Sequence, residues 1–225
     1  MLLVLLDLSA AFDTVDHDIR LTRLQKSYGV GGTALAWISS FIQGRQQSVN
    51  FNGHQSARIQ LKYGVPQGLV LEPLLFILYT SDVISIAASL GVGAHFYAAD
   101  SQLYLHCLAT DQSTAALRLA ECIERVEGWM KSNRLKLNSD KTQFLWLGSR
   151  QQLAKIDTKT MTIGEHRIES STSAKNLGVT FDSELEMDLH VNNITRSCFY
   201  QLRQLRSIRR SLSTDAAKTL INSRI

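Results

Sequence analysis

The sequence predicts an α+β domain, because strand-like and helical segments are mixed along it without strict alternation. Residues 2–6, "LLVLL", form a short uniform apolar run, the pattern of a strand buried on both faces. Residues 111–134 instead carry Ala116, Leu119, Ile123, Val126 and Met130 on one stripe at helical spacing. A chain of 225 residues, 44% hydrophobic and 20% charged, is long enough for a substantial core and ordinary in balance.

Asp7 stands at the end of the first strand. Two helices follow at 17–27 and 33–43, the second with Leu35, Trp37, Ile38, Phe41 and Ile42 as its apolar positions and Gly44 as its stop. Strands are expected at 48–52 and 58–63, with Asn52-Gly53 as turn material. "GVPQG", 64–68, is a loop, since Pro66 and two glycines deny it regular structure. A long apolar helix begins at Pro73. A hairpin then spans 95–104, although its tip holds two alanines, Ala98 and Ala99, beside the single acid Asp100 where Gly, Asn or Asp is usual. After the amphipathic helix, 142–147 alternates like a strand. Segments 161–163, 167–169 and 176–181 read as one small antiparallel sheet, and the chain is helical from Leu189 onward.

Several classes are excluded or disfavoured. Cys107, Cys122 and Cys198 give neither a disulfide framework nor zinc-ligand spacing, so a reducing interior, cytoplasm or nucleus, is expected rather than secretion. "MLLVLL" lacks a preceding basic residue, and Asp7 ends it too early for a signal peptide. The apolar stretch 73–94 contains Thr80, Ser81 and Asp82, and a central Asp costs roughly 3 kcal/mol on insertion scales. A buried helix and no membrane is the reading.

The candidate chemistry is carried by acids and arginines. Alone, Asp7 is an acid that has reached solvent at a strand end. "DTVDHD", 13–18, offers Asp13, Asp16 and His17 as metal ligands for a metallophosphoesterase, but acids at a helix start also complement its dipole. In the last helix, Ile194, Cys198, Leu202 and Leu205 recur at helical spacing and are expected to face a core. Arg196, Arg203 and Arg210 lie seven apart on the opposite face, with Arg206 beside them. They are either a solvated face or a set of phosphate contacts.

Five segments occur in a familiar order: "LLDLSAAFDTVDHD", "YGVPQG…LEPLLFILYTSD", "FYAADSQLY", "WMKSNRLKLNSDKTQFLWLG" and "NLGVTFDSELEMDLHVNNITRSCFYQLRQLR". Together they resemble successive motifs of non-LTR, jockey-like retrotransposon reverse transcriptases. The resemblance implies a polymerase palm, an antiparallel sheet backed by helices, with partial fingers over 1–183 and the start of a helical thumb over 184–225. It implies an RNA template, a DNA primer and deoxynucleoside triphosphates as partners, and Mg²⁺ or Mn²⁺ held by two carboxylates.

Residue by residue, the resemblance makes Asp7 the first metal-binding aspartate and Phe12 the aromatic gate at the nucleotide sugar. Gln67 and Gly68 match the loop on nucleotide and template, and Lys141 a basic residue near the leaving group. Leu177 and Gly178 match the turn on the primer end, and Arg196, Arg203 and Arg210 are the expected backbone contacts.

The family pattern at the hairpin is Tyr-Ala-Asp-Asp, and here it reads Tyr97-Ala98-Ala99-Asp100. Ala99 therefore occupies the position of the first hairpin aspartate. Asp100 is left as a poor metal ligand, because successive side chains on a strand point to opposite faces. Leu69 and Glu72 stand where the pattern has Ser and Gly, and Glu72 is expected to bring an anion near the triphosphate. The implied protein is a truncated remnant with little or no nucleotidyl transfer. The alternative is a non-catalytic RNA- or DNA-binding module using the basic helix.

Overall fold

The computed structural model describes residues 1–65, 70–164 and 166–222. Strand β1 (Leu2–Leu6) is followed by helices α1 (His17–Tyr28) and α2 (Gly32–Ile42). Next come two-residue strands β2 (Gln46–Gln47), β3 (Asn50–Phe51), β4 (His54–Gln55) and β5 (Ile59–Gln60). Helices α3 (Leu71–Thr80) and α4 (Asp82–Ser89) lead into strands β6 (Gly93–Tyr97) and β7 (Asp100–Leu105). Helix α5 (Gln112–Ser132), strand β8 (Gln143–Trp146) and short helix α6 (Arg150–Leu153) come next. Hairpins β9 (Thr160–Ile163) with β10 (His166–Glu169) and β11 (Ser173–Asn176) with β12 (Val179–Asp182) precede helices α7 (Asp188–Ile208) and α8 (Thr214–Asn222).

The central sheet has the order β6-β7-β1-β8, with antiparallel neighbours throughout. Leu2, Val4 and Leu6 of β1 point into the main core with Leu103, Phe144 and Trp146. Phe76, Tyr79, Val83 and Ala87 of α3–α4 and Leu119, Ile123, Val126 and Met130 of α5 close that core from the helical side. Leu3 points the other way, into a smaller cluster with Leu145, Leu147 and Ala174. Burial on both faces explains why this strand has no polar alternation.

Asp16 caps α1, accepting hydrogen bonds from the Asp18 and Ile19 amides at 3.0 and 3.1 Å. Its carboxylate thus serves the helix start. His17 is buried, and its Nε2 lies 2.7 Å from the Gly64 carbonyl. No group of three or more His, Cys, Asp or Glu able to hold a metal occurs among the described residues. Asp13, Asp16 and His17 are therefore not assembled as a metal site.

The run Leu71–Ser89 is long and apolar enough to cross a membrane by length and composition. It packs one stripe against the sheet, and Asp82 pairs with Arg23 of α1 at 3.2 Å. Helix α3 starts at Leu71, so Pro73 falls in its first turn, where a missing N–H costs nothing.

Three expectations are corrected. The strands at 48–52 and 58–63 shrink to two-residue pieces, β3 pairing β4 and β2 pairing β5, because both faces are exposed and no core holds them longer. Segments 161–163, 167–169 and 176–181 form two separate hairpins, not one sheet. Within 176–181 the chain reverses at Leu177 and Gly178, whose φ angles are +46° and +85°. Helix α7 buries none of its side chains, so Ile194 and Leu202 do not face a core.

Cysteine exposure makes one prediction. Burial pushes the Cys122 thiol up to about 11 and raises that of Cys107, whereas Cys198 is exposed. Thiolate is the reactive species. Iodoacetamide at pH 8 should label Cys198 first and Cys122 only after denaturant, as read by peptide mass spectrometry. Equal labelling of Cys122 in the native protein would contradict the packing of α5.

Candidate functional site

Register places the side chains around Asp7. In the β1–β7 pair Leu6 opposes Ser101, so one residue further Asp7 meets Asp100. In the β1–β8 pair Leu5 opposes Gln143, and two residues further Asp7 meets Lys141. Cross-strand partners project from the same face of a sheet, so the three side chains converge. They line a cavity of about 290 Å³ together with Asp140, Gln143, Lys175 and Asn176.

The Asp7 carboxylate is already engaged. Lys141 Nζ lies 3.3 Å from its Oδ2, and Asn138 Nδ2 donates to the same oxygen at 3.4 Å. The Asn138 amide also donates to the Asp7 carbonyl at 2.9 Å, tying the loop before β8 to the end of β1. Lys141 is mostly exposed, so this ion pair contributes little to stability and can open.

Ala99 lies on the other side. It packs against the main apolar core, and Asp100 takes the place beside Asp7. Ala99, at the position of the first hairpin aspartate, therefore does not share the Asp7 cleft, and Asp100, expected to be a poor metal ligand, does. Alternation along the strand does separate 99 from 100, but register sets which of them faces Asp7. The two-residue tip between Tyr97 and Asp100 puts Ala98 at φ +53°, a strained conformation for a residue with a Cβ.

The remaining candidate residues are dispersed. Phe12 is half-buried against Phe76, with ring centroids 5.0 Å apart, and does not line the Asp7 cavity. Its carbonyl accepts from the Val65 amide at 3.0 Å, so it sits beside Gly64 and Val65. Gly64 is required there, since at φ +81° a Cβ would approach the Asp13 carbonyl to 2.9 Å. Gln67 and Gly68, with Leu69, lie outside the described residues.

Leu177 and Gly178 form the β11–β12 tip, and Lys175 and Asn176 just before them reach the Asp7 cavity. Arg196 and Arg203 are on α7, whereas Arg210 lies beyond it in the turn Arg209–Ser211. These arginines are distinct from the cavity. Asn138, Asp140, Lys175 and Asn176 escaped the sequence reading. Their only signal was adjacency to Lys141 and Leu177.

The model of the reverse transcriptase (RNA-dependent DNA polymerase) family matches residues 1–181. The chain belongs to that family.

Within it, the domain is similar to the probable RNA-directed DNA polymerase from transposon BS of Drosophila melanogaster. The two are 28% identical over 97% of this chain and 24% of that protein. It is also 23% identical to the RNA-directed DNA polymerase from mobile element jockey of the same fly, over 85% of this chain and 21% of that one. This reverse-transcriptase domain thus has the jockey-like, non-LTR character that its motifs imply, and spans about a quarter of the length of these relatives.

The fold has neighbours among solved structures. Apo telomerase from Candida tropicalis, truncated from its C-terminal domain, matches with a TM-score of 0.55 at 15% identity, over 83% of this chain and 34% of that one. Telomerase from Candida albicans, in complex with a fragment of telomeric RNA, matches with a TM-score of 0.56 at 13% identity. The central sheet backed by α3–α5 is accordingly the polymerase palm.

Proposed function

We propose that this reverse-transcriptase domain retains the palm of an RNA-directed DNA polymerase but is impaired in nucleotidyl transfer. The observation behind this reading is the hairpin sequence, where Ala99 stands in place of an aspartate, so that of the two hairpin carboxylates in the family pattern only Asp100 remains. What remains beside Asp7 is Asp100 on one flank and Lys141 on the other.

Asp7 and Asp100 fit Mg²⁺ or Mn²⁺ as a donor set, because Mg²⁺ is commonly held by one or two carboxylates plus substrate phosphates. When bound, the ion would supply Lewis-acid activation of a primer hydroxyl and charge for departing pyrophosphate. The chain's own residues set the terms. Asn138 orients the Asp7 carboxylate, and Lys141 competes for its Oδ2. Primer extension tests the proposal, and its outcome is argued in the Discussion.

A second reading, nucleic-acid binding without transfer, is favoured by where the charge lies. Between residues 188 and 210, Arg196, Arg203, Arg206, Arg209 and Arg210 face only Asp188, so this stretch carries the chain's whole formal net charge of +4. Three phosphate contacts imply a salt slope of about −3 for log K against log salt. Binding of an RNA–DNA hybrid measured from 50 to 200 mM KCl should show that slope. The triple change of Arg196, Arg203 and Arg210 to Ala should flatten it towards zero. An unchanged slope would mean that these arginines are only a solvated face.

A further inference from the structure

The outer face of α7 holds more than charge. Phe199 is 63% exposed and Tyr200 58% exposed, although large aromatic rings are normally drawn into a core. At 3.6 residues per turn both rings share roughly 100° of arc with Arg196 and Arg203. Each ring stands three or four positions from both arginines, the spacing at which helical side chains are neighbours. Ile194 lies on the far side of the helix and Val191 and Leu202 flank it, so Phe199 borders that apolar stripe whereas Tyr200 stands clear of it, between Arg196 and Arg203. The two rings are interleaved with the positive charge.

We infer that Phe199 and Tyr200 are stacking platforms for unpaired bases, making α7 a site for single-stranded nucleic acid. The inference rests on the second reading above and adds the substrate class. Arginine alone holds phosphates in any strand arrangement. An exposed ring needs the flat face of a base, and in a duplex those faces are already stacked on one another. Alternating rings and cations along a track are the combination that holds single strands without sequence preference. Arg196 and Arg203 are about 10 Å apart along the helix axis, the rise of roughly three stacked nucleotides. Two rings between two cations fit that length.

The test compares a 20-nucleotide single-stranded oligouridylate with a 20-base-pair RNA–DNA hybrid by fluorescence anisotropy in 100 mM KCl. The whole chain is used in four forms: the parent, Phe199→Ala with Tyr200→Ala, Phe199→Trp with Tyr200→Trp, and Arg196→Ala with Arg203→Ala. Far-UV circular dichroism checks each fold, and none of these side chains is buried. The parent should prefer the single strand. Loss of both rings should weaken single-strand binding by tenfold or more, from roughly fivefold or more per stacked base, and leave hybrid binding within about twofold. The tryptophan pair should keep the preference, and loss of the arginines should weaken both ligands.

Salt-dependent binding that is indifferent to the rings would overturn the stacking inference and leave the second reading intact. No binding of either ligand by the folded parent would overturn both. A ring-dependent dimer in sedimentation velocity, with unchanged single-strand affinity, would assign the face to a second copy and overturn the inference.

Discussion

Purified protein mixed with a primed RNA template, deoxynucleoside triphosphates and Mg²⁺ should leave the primer unextended, and Ala99→Asp by itself should not restore normal extension. The first half follows from the tip of the β6–β7 hairpin. Loss of one preorganised electrostatic group costs roughly 10²–10³-fold in rate elsewhere, and Ala99 removes such a group from the family pattern. The second half follows from where the Ala99 methyl lies. It packs on the main core, so a carboxylate there meets an apolar wall unless the tip turns over. The tip already holds Ala98 at φ +53°, which leaves little freedom for that turn.

Leu69, where the family pattern has Ser, is a separate departure that Ala99→Asp leaves in place. The informative series is therefore the parent, Ala99→Asp, and Ala99→Asp with Leu69→Ser, each with Mg²⁺ and with Mn²⁺. Robust extension by the parent would overturn the impaired-transfer proposal. In that event Asp7→Asn and Asp100→Asn should each abolish the activity, since these are the cavity carboxylates that meet across the β1–β7 pair. Full rescue by Ala99→Asp alone would show that the hairpin turns over freely.

Glu72→Gly, which restores the residue of the family pattern, should destabilise this protein by about 3 kcal/mol rather than improve it. The reason lies on α1. Arg20 is 1% exposed, and its guanidinium makes no hydrogen bond among the described residues. Burial holds its pKa down to about 10, and the electrostatic influence of Tyr79 and of the Glu72 carboxylate opposes that shift. Glu72 is itself only 6% exposed, in the first turn of α3. Removing the carboxylate strands a buried cation, which is the costly way to break such a neighbourhood.

Glycine in a helix adds its own penalty of about 1 kcal/mol, so Glu72→Gln is the cleaner probe. Urea denaturation should lower the stability of Glu72→Gln by most of that amount. The double variant Arg20→Met with Glu72→Met should lose much less than the two single changes combined. Additive losses would mean that the two charges do not interact. Glu72 is buried in the first turn of α3 and its charge favours the protonated form of Arg20, so the expectation of an anion exposed to a triphosphate gives way to that of a counter-charge for α1.

Much of the palm was legible in the sequence because its signals are local. A uniform apolar run specifies β1, a stripe at helical spacing specifies α5, and Asp16 ahead of α1 specifies a cap. Motif order identified the family for the same reason, since it needs no knowledge of which residues touch. Asp7 and Lys141 were both named from their motifs, and they meet as an ion pair.

The tertiary structure decided what depends on partners far along the chain. Alternation separates Ala99 from Asp100, yet only the pairing of β7 with β1 decides that Asp100 takes Asp7's side. Charge alone made Glu72 look like a lesion, and only the tertiary packing buries it, where its charge favours the protonated form of Arg20, 52 residues earlier on α1. The stripe of Ile194 and Leu202 has the spacing of a core face, but spacing cannot supply the surface to pack against, and both side chains are left exposed among the described residues. Periodicity is a property of one segment, whereas register, counter-charge and burial are properties of two.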